Sequence, residues 1–307
     1  MRAQQTATPV VGFLSASSLD SLREPIVAFR EALATFGYVE GSNVVIEYRT
    51  ADNLYNRLPQ LAADLVRRKV KVIVSLGGSP ALLAAKAATT TIPIVFAFGG
   101  DPVARGIVAS LNRPSGNLTR ITVLADEVGP KRLELLHEVA ANSYDFGLLV
   151  NPTNENAEIL QRAMDAAARS LGVQLHLLRA STEHDLDAAF AALARLRAGG
   201  LVIGGDAFFN SRYEQFGALS TRYSIPAVYQ YRTFVTAGGL MSYGTEQEEW
   251  GRQLGIYTAR ILRGEKPDDL PVQQVTQIRL VINMRTAKAL GLTVPLSLLG
   301  RADEVIE

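Results

Sequence analysis

The sequence contains no cysteine and only three histidines in 307 residues. The absence of cysteine excludes disulfides, thiolate nucleophiles and cysteine-based metal sites. The histidines, His137, His176 and His184, are far apart along the chain. The sequence therefore predicts no metal site, no cofactor and no catalytic residue.

An excess of charge and a long hydrophobic run are also missing. The 31 Lys and Arg residues face 30 Asp and Glu residues, and no basic block stands out. Because nucleic-acid-binding domains normally carry a basic face, no nucleic-acid partner is predicted. No apolar segment is long enough to cross a bilayer. Residues 1–9 are mostly polar and fit either a native start or the remainder of a processed export signal.

What the sequence does contain is an alternation of short β-branched segments with helical patterns, and this alternation occurs twice. In the first half the predicted strands are 10–14, 43–48, 70–75 and 92–96, and the predicted helices are 21–36, 55–68 and 80–89. In the second half the predicted strands are 146–150, 174–178, 201–203 and 227–229, and the predicted helices are 156–171, 183–197 and 210–223. Gly37, Gly172 and Gly199-Gly200 stand where helices should stop. The pattern predicts the α/β class, as two doubly wound parallel-sheet lobes with helices on both faces.

The tail departs from this alternation. It predicts a long helix at 246–263, an extended segment at 272–281 and a short helix at 284–290. The chain is expected to cross between lobes near 118–122, 239–244 and 270–277. The predicted domains are therefore 1–120 with 245–272 and 121–244 with 273–307. A hinge of three segments restricts the motion to opening and closing.

Small polar residues follow the strands of both halves, and such turns leave free N–H groups at the start of the next helix. Ser15 and Ser17 follow the first strand, and Ser79 follows a Gly-Gly pair. With Pro80 next, Ser79 is predicted to be an N-cap with Pro80 at the first helical position. Glycine at Gly78 allows close approach of the backbone to a ligand, and a helix start suits a carboxylate. The alternative is that Ser79 only caps its own helix.

In the second half, either Thr153 or Asn154 is predicted to cap a helix that begins at Asn156. Asp206 follows an apolar strand, where its carboxylate would pair with a ligand ammonium or cap the next helix. Asp101 is a competing candidate, but Asp before Pro is typical of a structural turn.

Aromatic residues cluster at the same strand ends and suit a planar apolar side chain on the ligand. Tyr231 and Tyr243 are the favoured candidates for the ligand cleft, because they lie beside polar or glycine positions. For the phenylalanines, the alternative to ligand contact is packing in the core. Arg120 and Arg232 are candidate carboxylate clamps, because guanidinium matches carboxylate with two hydrogen bonds. An ordinary surface position is the alternative for both.

Several segments together resemble one known family. They are 98–103 (FGGDPV), 131–136 (KRLELL), 150–154 (VNPTN), 238–244 (GGLMSYG) and 280–283 (LVIN) followed by Thr286-Ala287. In these segments the chain resembles the periplasmic solute-binding proteins of ABC transporters, typified by tryptophan- and tyrosine-uptake binding proteins. The resemblance covers essentially the whole chain.

The resemblance implies a type I periplasmic-binding fold, a three-segment hinge and a ligand held between two lobes. It also implies an exported, periplasmic monomer whose signal peptide is removed. Arg120 stands where the family usually has a small residue. The predicted ligand-binding residues are Ser15, Ser17, Gly78, Ser79, Phe98, Gly99, Thr122, Asn154, Asp206, Phe208, Tyr231 and Tyr243.

Three functions remain open at this point. The first is a binding protein that captures a small carboxylate or amino acid, aromatic or apolar, by hinge closure and delivers it to a membrane permease. The second is an enzyme acting on a small carboxylate, although no Gly-x-Ser-x-Gly elbow, phosphate loop or dinucleotide fingerprint is present. The third is the sensor domain of a transcription regulator. An intact regulator would need a DNA-binding helix pair before the first strand, and the nine residues before Val10 are too few for one, so this alternative is a detached sensor domain.

Overall fold

The structure is a computed structural model that describes residues 8–99, 116–123, 125–270 and 273–307. Asp101, a predicted candidate, lies outside the described residues, and so do Gly100, Pro102 and Val103 of the family-like segment. For Arg120 only the backbone is described. The chain divides into two compact units, unit 1 (Met1–Val123 and Gln247–Val275) and unit 2 (Leu124–Glu246 and Thr276–Glu307).

The elements alternate along most of the chain. The strands are β1 (Val10–Ser15), β2 (Val45–Thr50), β3 (Val72–Leu76), β4 (Ile94–Gly99), β5 (Leu118–Val123), β6 (Asp145–Val150), β7 (Gln174–Arg179), β8 (Gly200–Ile203), β9 (Ala227–Tyr229), β10 (Met241–Thr245), β11 (Gln273–Val275), β12 (Ile278–Asn283) and β13 (Glu304–Ile306). The helices are α1 (Arg23–Thr35), α2 (Leu58–Arg67), α3 (Ser79–Ala88), α4 (Ala125–Val139), α5 (Ala157–Leu171), α6 (Glu183–Leu196), α7 (Ala207–Asn210), α8 (Tyr213–Tyr223), α9 (Arg232–Thr236), α10 (Gln247–Leu262), α11 (Met284–Ala289) and α12 (Leu296–Leu299).

The sheet of unit 1 has the strand order β11-β5-β4-β3-β1-β2, and each pairing is parallel. Helices α1 and α10 pack against each other and supply Phe29, Trp250 and Tyr257 to a core that includes Phe13 of β1. Helices α2 and α3 pack against the strands as well. A strand that is buried on both faces needs apolar side chains on each face. Its sequence is therefore a nearly continuous hydrophobic run.

The sheet of unit 2 has the order β13-β12-β10-β9-β8-β6-β7. All of its pairings are parallel except that of β10 with β12, which is antiparallel. Two hydrophobic clusters lie against it: Leu148 and Val150 belong to one, and Leu149 to the other. This alternation along β6 is what a sheet covered on both faces requires. The predicted α/β class, with mostly parallel sheets, is confirmed.

Two segments near which the sequence placed crossings form strands, because they are rich in residues that favour extended backbone. Leu118–Val123 is β5, which pairs with β4 and β11. Met241–Thr245 is β10, which pairs with β9 and β12. The predicted extended segment 272–281 contains parts of two strands, β11 and β12, that belong to different sheets. Helix α4 was not predicted as an element.

The end of α6 differs from the prediction. The glycine pair Gly199-Gly200 was expected to stop this helix, but the helix ends at Leu196 and Arg197 adopts the left-handed conformation with φ +52°. Gly200 already belongs to β8. A non-glycine residue therefore makes the turn, and the glycines lie where side chains would collide with Ser143 and Leu136.

Candidate functional site

The switch point of the unit 1 sheet lies between β1 and β3. From β1 the chain passes through α1 to β2 on one side, and then through α2 to β3 on the other side of β1. In open parallel sheets, ligands bind at the carboxyl ends of the strands where the direction of winding reverses. The turns after β1 and β3 are therefore the candidate site of this unit.

The turn after β1 is buried and stabilised by its own serine. Ser15 is fully buried, and its Oγ accepts a hydrogen bond of 2.9 Å from the backbone N of Ser17. Ser17 is 2% exposed. The backbone N of Ala16 donates to the carbonyl of Leu76 at the end of β3. The two turns are thus hydrogen-bonded directly to each other.

The turn after β3 depends on glycine. Gly77 has φ +84° and Gly78 has φ +91°. A Cβ on Gly77 would lie 2.8 Å from the backbone N of Ala16 and 3.0 Å from that of Ser17. Since both neighbours are backbone atoms of the first turn, they cannot move aside without disrupting it. Glycine at position 77 is what allows the two turns to come together.

Ser79 is the first residue of α3, not its N-cap as the sequence predicted. The cap position belongs to Gly78, because its positive φ sets the chain direction into the helix. Pro80 accordingly occupies the second helical position. The Ser79 side chain is nevertheless 3% exposed and lies at the start of α3, where backbone N–H groups and the helix dipole favour an anion.

The neighbouring strands β4 and β5 end in three further predicted residues. Phe98 pairs with Thr122 and Gly99 with Val123 in the parallel register. Phe98 is 2% exposed and meets Phe96 edge to face. The Oγ1 atom of Thr122 is buried and makes no hydrogen bond within the described part of the chain. A buried hydroxyl without a partner is costly, so it marks a place where a ligand or water would be stabilising.

In unit 2 the switch point lies between β6 and β8, and Asp206 occupies it. Its Oδ1 accepts hydrogen bonds from Asn151 Nδ2 at 3.0 Å and from the backbone N of Phe208 at 2.9 Å. Its Oδ2 accepts one from Asn154 Nδ2 at 2.8 Å. Asp206 is 4% exposed. The three donors fix the position and orientation of the Asp206 carboxylate at this edge of the sheet.

The structure shows which residues cap the two adjoining helices, α5 and α7. Asp206 is the N-cap of α7, which is one of the two roles that the sequence left open for it. Neither Thr153 nor Asn154 caps α5, which begins at Ala157 with Asn156 as its N-cap. Instead the Asn154 side chain accepts from the backbone N of Asn156, because the turn there spans the two residues before the helix.

The predicted aromatic residues of unit 2 differ in exposure. Phe208 belongs to a hydrophobic core cluster, and the Arg212 guanidinium lies 3.8 Å from its ring centroid. Tyr231 and Tyr243 are partly exposed. Burial raises the pKa of the Tyr231 hydroxyl to about 12, so it stays protonated at neutral pH. Tyr231 is thus a potential hydrogen-bond donor at the end of β9.

Arg232, a predicted carboxylate clamp, is already paired within unit 2. Its Nε and Nη2 atoms donate to the two carboxylate oxygens of Glu304, each at 2.6 Å. The side chain is also about half exposed. Because this bidentate pair already uses the planar fork that a carboxylate would need, the structure gives Arg232 a surface role instead.

The sequence reasoning missed a different arginine, Arg132 on α4, which is 3% exposed. A signal was present in the spacing. Position 132 shares the buried face of the helix with Val128, Leu135, Leu136 and Val139. A cation within an apolar face at helical spacing is unusual, because charged residues are rarely buried without a specific partner.

No helix among the described residues has the length and apolar character needed to cross a membrane. No group of three or more His, Asp or Glu side chains in the same part of the chain is arranged to hold a metal ion.

Comparison with known proteins gives a consistent result. The model of a family described as ABC transporter substrate binding protein matches residues 9–306. A curated tyrosine-binding protein of Clostridioides difficile (strain R20291) is 26% identical over 276 residues, which cover 90% of this chain and 78% of that protein.

Solved structures share the fold. A conserved domain protein of Vibrio cholerae has a TM-score of 0.89 at 29% identity, and the match covers 97% of this chain and 99% of that one. The ABC domain of a Streptococcus pneumoniae protein in complex with L-Trp has a TM-score of 0.87 at 22% identity, covering 98% and 100% of the two chains.

Proposed function

Because the chain belongs to the ABC transporter substrate-binding protein family, we propose that it binds an amino acid with an aromatic side chain and passes it unaltered to a membrane permease. The single observation that carries the choice of an amino acid is the Asp206 carboxylate, buried and held by three donors at the switch point of unit 2. A fixed anion there is suited to an ammonium group.

Similar proteins support this class of ligand. One curated relative is named as a tyrosine-binding protein, and one solved structure of the same fold holds L-Trp. Family membership favours the substrate-binding function over the two alternatives, an enzyme and a sensor domain. The type I periplasmic-binding fold expected from the sequence is confirmed, because solved leucine-binding and glucose-galactose-binding proteins share the fold of this chain.

In unit 1 we assign the carboxylate of the ligand to the start of α3, with Ser79 and the turn after β1. The backbone N–H groups at a helix start, and the serine hydroxyls beside them, donate to an anion. The full set proposed for this unit is Ser15, Ser17, Gly78, Ser79, Phe98, Gly99 and Thr122.

In unit 2 the ligand ammonium is assigned to Asp206, with Asn154 as a supporting residue. Tyr231, Tyr243 and Phe208 are assigned to the aromatic side chain of the ligand, since stacked or edge-to-face rings contribute beyond simple burial. A protein of this function works outside the cytoplasmic membrane, as a monomer and without catalysis.

A thermal-shift screen of amino acids and aromatic acids tests the function. L-Tyrosine or L-tryptophan is expected to raise the melting temperature, because a ligand that binds the folded state stabilises it by mass action. Ser79→Ala and Asp206→Ala are each expected to weaken binding, measured by calorimetric titration. If neither amino acid binds the wild-type protein, or if both variants bind with unchanged affinity, the proposal is wrong.

A further inference from the structure

Arg132 is a buried cation with no carboxylate beside it in the described part of the chain. Its one hydrogen bond there runs from Nε to the carbonyl oxygen of Tyr243, at 2.8 Å. No Asp or Glu oxygen of the described residues lies within 4.0 Å of the guanidinium. By contrast, Arg260 and Arg301 each donate to a carboxylate at 2.6 Å. Arg132 is therefore unlike the paired surface arginines.

An unpaired buried charge is expensive, and its cost is usually offset by a specific partner. Burial lowers the pKa of Arg132 to about 10, which leaves the group charged at neutral pH. The side chains of Tyr231 and Tyr243 lie near the guanidinium. Burial raises the pKa of the Tyr231 hydroxyl to about 12, so that group carries no negative charge at neutral pH. The positive charge thus lacks an anion among the described residues.

The position of Arg132 places it at the same edge of the sheet as Asp206. Helix α4 packs against β8, β9 and β10. Arg132 Nη2 lies 3.5 Å from the point that a Cβ of Gly244 would occupy, near the carboxyl end of β10. A side chain at position 244 would also collide with the carbonyl of Gln230, 2.2 Å away, so only glycine at position 244 lets Arg132 and Gln230 keep these places.

Gln230 connects the two charged groups. Its backbone carbonyl contacts Gly244 beside Arg132, and its side-chain Oε1 lies 2.6 Å from the Cβ point of Gly205, the residue before Asp206. The charges therefore flank the end of β9, one on the β8 side and one on the β10 side. Adjacent strands are about 4.8 Å apart, so the ends of β8 and β10 are separated by roughly 10 Å.

That separation fits an α-amino acid bound at both of its charges. A charge-assisted hydrogen bond at each end takes up about 2.8 Å, and the ammonium and carboxylate of one zwitterion fill the remainder. We propose that Arg132 binds the α-carboxylate of the amino-acid ligand while Asp206 binds its α-ammonium. The inference rests on the proposed function. A carboxylate has room for several donors, so Arg132 need not be its only partner.

Calorimetric titration of the wild-type protein, Arg132→Gln and Arg132→Lys with L-tyrosine and L-tyrosinamide tests the assignment. In Arg132→Gln, L-tyrosine binding is expected to fall about 10- to 100-fold, the range for a hydrogen bond to a charged group. The amide, which has no carboxylate, should lose much less. The affinity of Arg132→Lys for L-tyrosine should lie between those of the wild type and of Arg132→Gln, because lysine keeps the charge but lacks the planar guanidinium.

The control variant is Arg301→Gln, which removes an arginine of the same unit that is paired with Glu138 on the surface. It should bind both probes with wild-type affinity. If Arg132→Gln and Arg132→Lys bind L-tyrosine as the wild type does, or lose acid and amide equally, Arg132 has a structural role and the inference is wrong. The melting temperature of each ligand-free variant shows whether it is folded.

A second pair of probes distinguishes the source of the carboxylate. L-4-Carboxyphenylalanine and L-phenylalanine differ in a carboxylate on the side chain. One outcome is that substitution of Arg132 changes the relative affinity for L-4-carboxyphenylalanine and L-phenylalanine but leaves the relative affinity for L-tyrosine and L-tyrosinamide unchanged. That result would show that Arg132 binds a carboxylate on the ligand side chain, and it would overturn the α-carboxylate assignment. If the wild-type protein binds none of the probes, the proposed function is itself wrong and the assignment falls with it.

Discussion

The switch points of the two sheets occupy the same place in the chain path but differ in chemistry. In unit 1 the turns after β1 and β3 are neutral, built from serines and from glycines with positive φ. In unit 2 the equivalent turns hold a buried carboxylate, Asp206, fixed by the amides of Asn151 and Asn154. The topology supplies a place for polar groups, and the sequence decides whether that place offers backbone donors or a charge.

The largest expected effect comes from removing the charge of unit 2. Asp206→Asn keeps the shape and can still cap α7, but it removes the partner of the ligand ammonium. Binding of L-tyrosine is expected to fall about 100-fold, as for truncation of one partner of a buried charge pair. Titration calorimetry measures this loss.

Asp185→Asn is the matched control for that change. Asp185 also accepts backbone N–H bonds at a helix start, but it lies partly exposed on α6. It should leave binding unchanged. Equal affinities of the Asp206→Asn variant and the wild type would show that unit 2 does not use a charge in recognition.

The second prediction concerns the backbone of unit 1. Gly77→Ala adds a Cβ that meets two backbone nitrogens of the first turn. We expect it to lower the free energy of unfolding by about 3 kcal/mol, combining a strained conformation with a clash. Urea denaturation gives the value.

Gly37→Ala is the control, since Gly37 has nearly the same φ, +87°, but its Cβ would meet nothing within 4 Å. Its cost should be about 1 kcal/mol, from the left-handed conformation alone. Similar losses in the two variants would mean that the contact between the turns after β1 and β3 is not tight.

The third prediction tests whether Asn154 helps to position Asp206 for ligand binding or only stabilises its own turn. Asn154→Ala removes a donor to Asp206 and an acceptor for Asn156, so it should cost about 1 kcal/mol of stability and weaken L-tyrosine binding severalfold. Asn43→Ala, which removes a comparable pair of turn hydrogen bonds in unit 1, should lose similar stability without loss of affinity. Unchanged affinity in both variants would contradict the supporting role of Asn154.

The smallest effect is expected at Arg232. Its guanidinium lowers the pKa of Glu304, so the pair contributes stability above the ordinary glutamate pKa and loses it as the pH falls through the lowered value. Arg232→Gln should therefore cost about 0.5 kcal/mol at pH 7, because the pair is partly exposed and screened by solvent, and nothing in strong acid. Denaturation at pH 7 and pH 2 measures the difference. A large loss of L-tyrosine affinity in this variant would revive Arg232 as a carboxylate clamp.

Many of the elements could be predicted from the sequence because their signals are local. Strands β1, β6 and β9 and helices α1, α5 and α6 come within a few residues of the predicted bounds. Helix α7 was missed because four residues carry no periodicity. Strands β5 and β10 were not predicted as strands, because one pairing partner of each, β11 and β12 respectively, is more than thirty residues away in the chain.

The candidate site was less accessible to sequence reasoning. Asp206 could be singled out, since a carboxylate directly after an apolar strand is visible in the residue order. Arg232 was proposed as a clamp and Arg132 was missed, although its place within an apolar helical face was a signal. Which one meets a carboxylate depends on Glu304, seventy-two residues from Arg232, and which one is buried depends on how α4 packs on its sheet.

By itself, the sequence determined the α/β alternation, the glycines and serines of the turns and the absence of thiol chemistry, because these depend on residue types and their short-range spacing. Tertiary structure decided that Gly78 caps α3, that two asparagines hold Asp206 and that Arg132 is buried without a described carboxylate beside it. Such features arise from strand order and helix packing, which bring together side chains far apart in the chain.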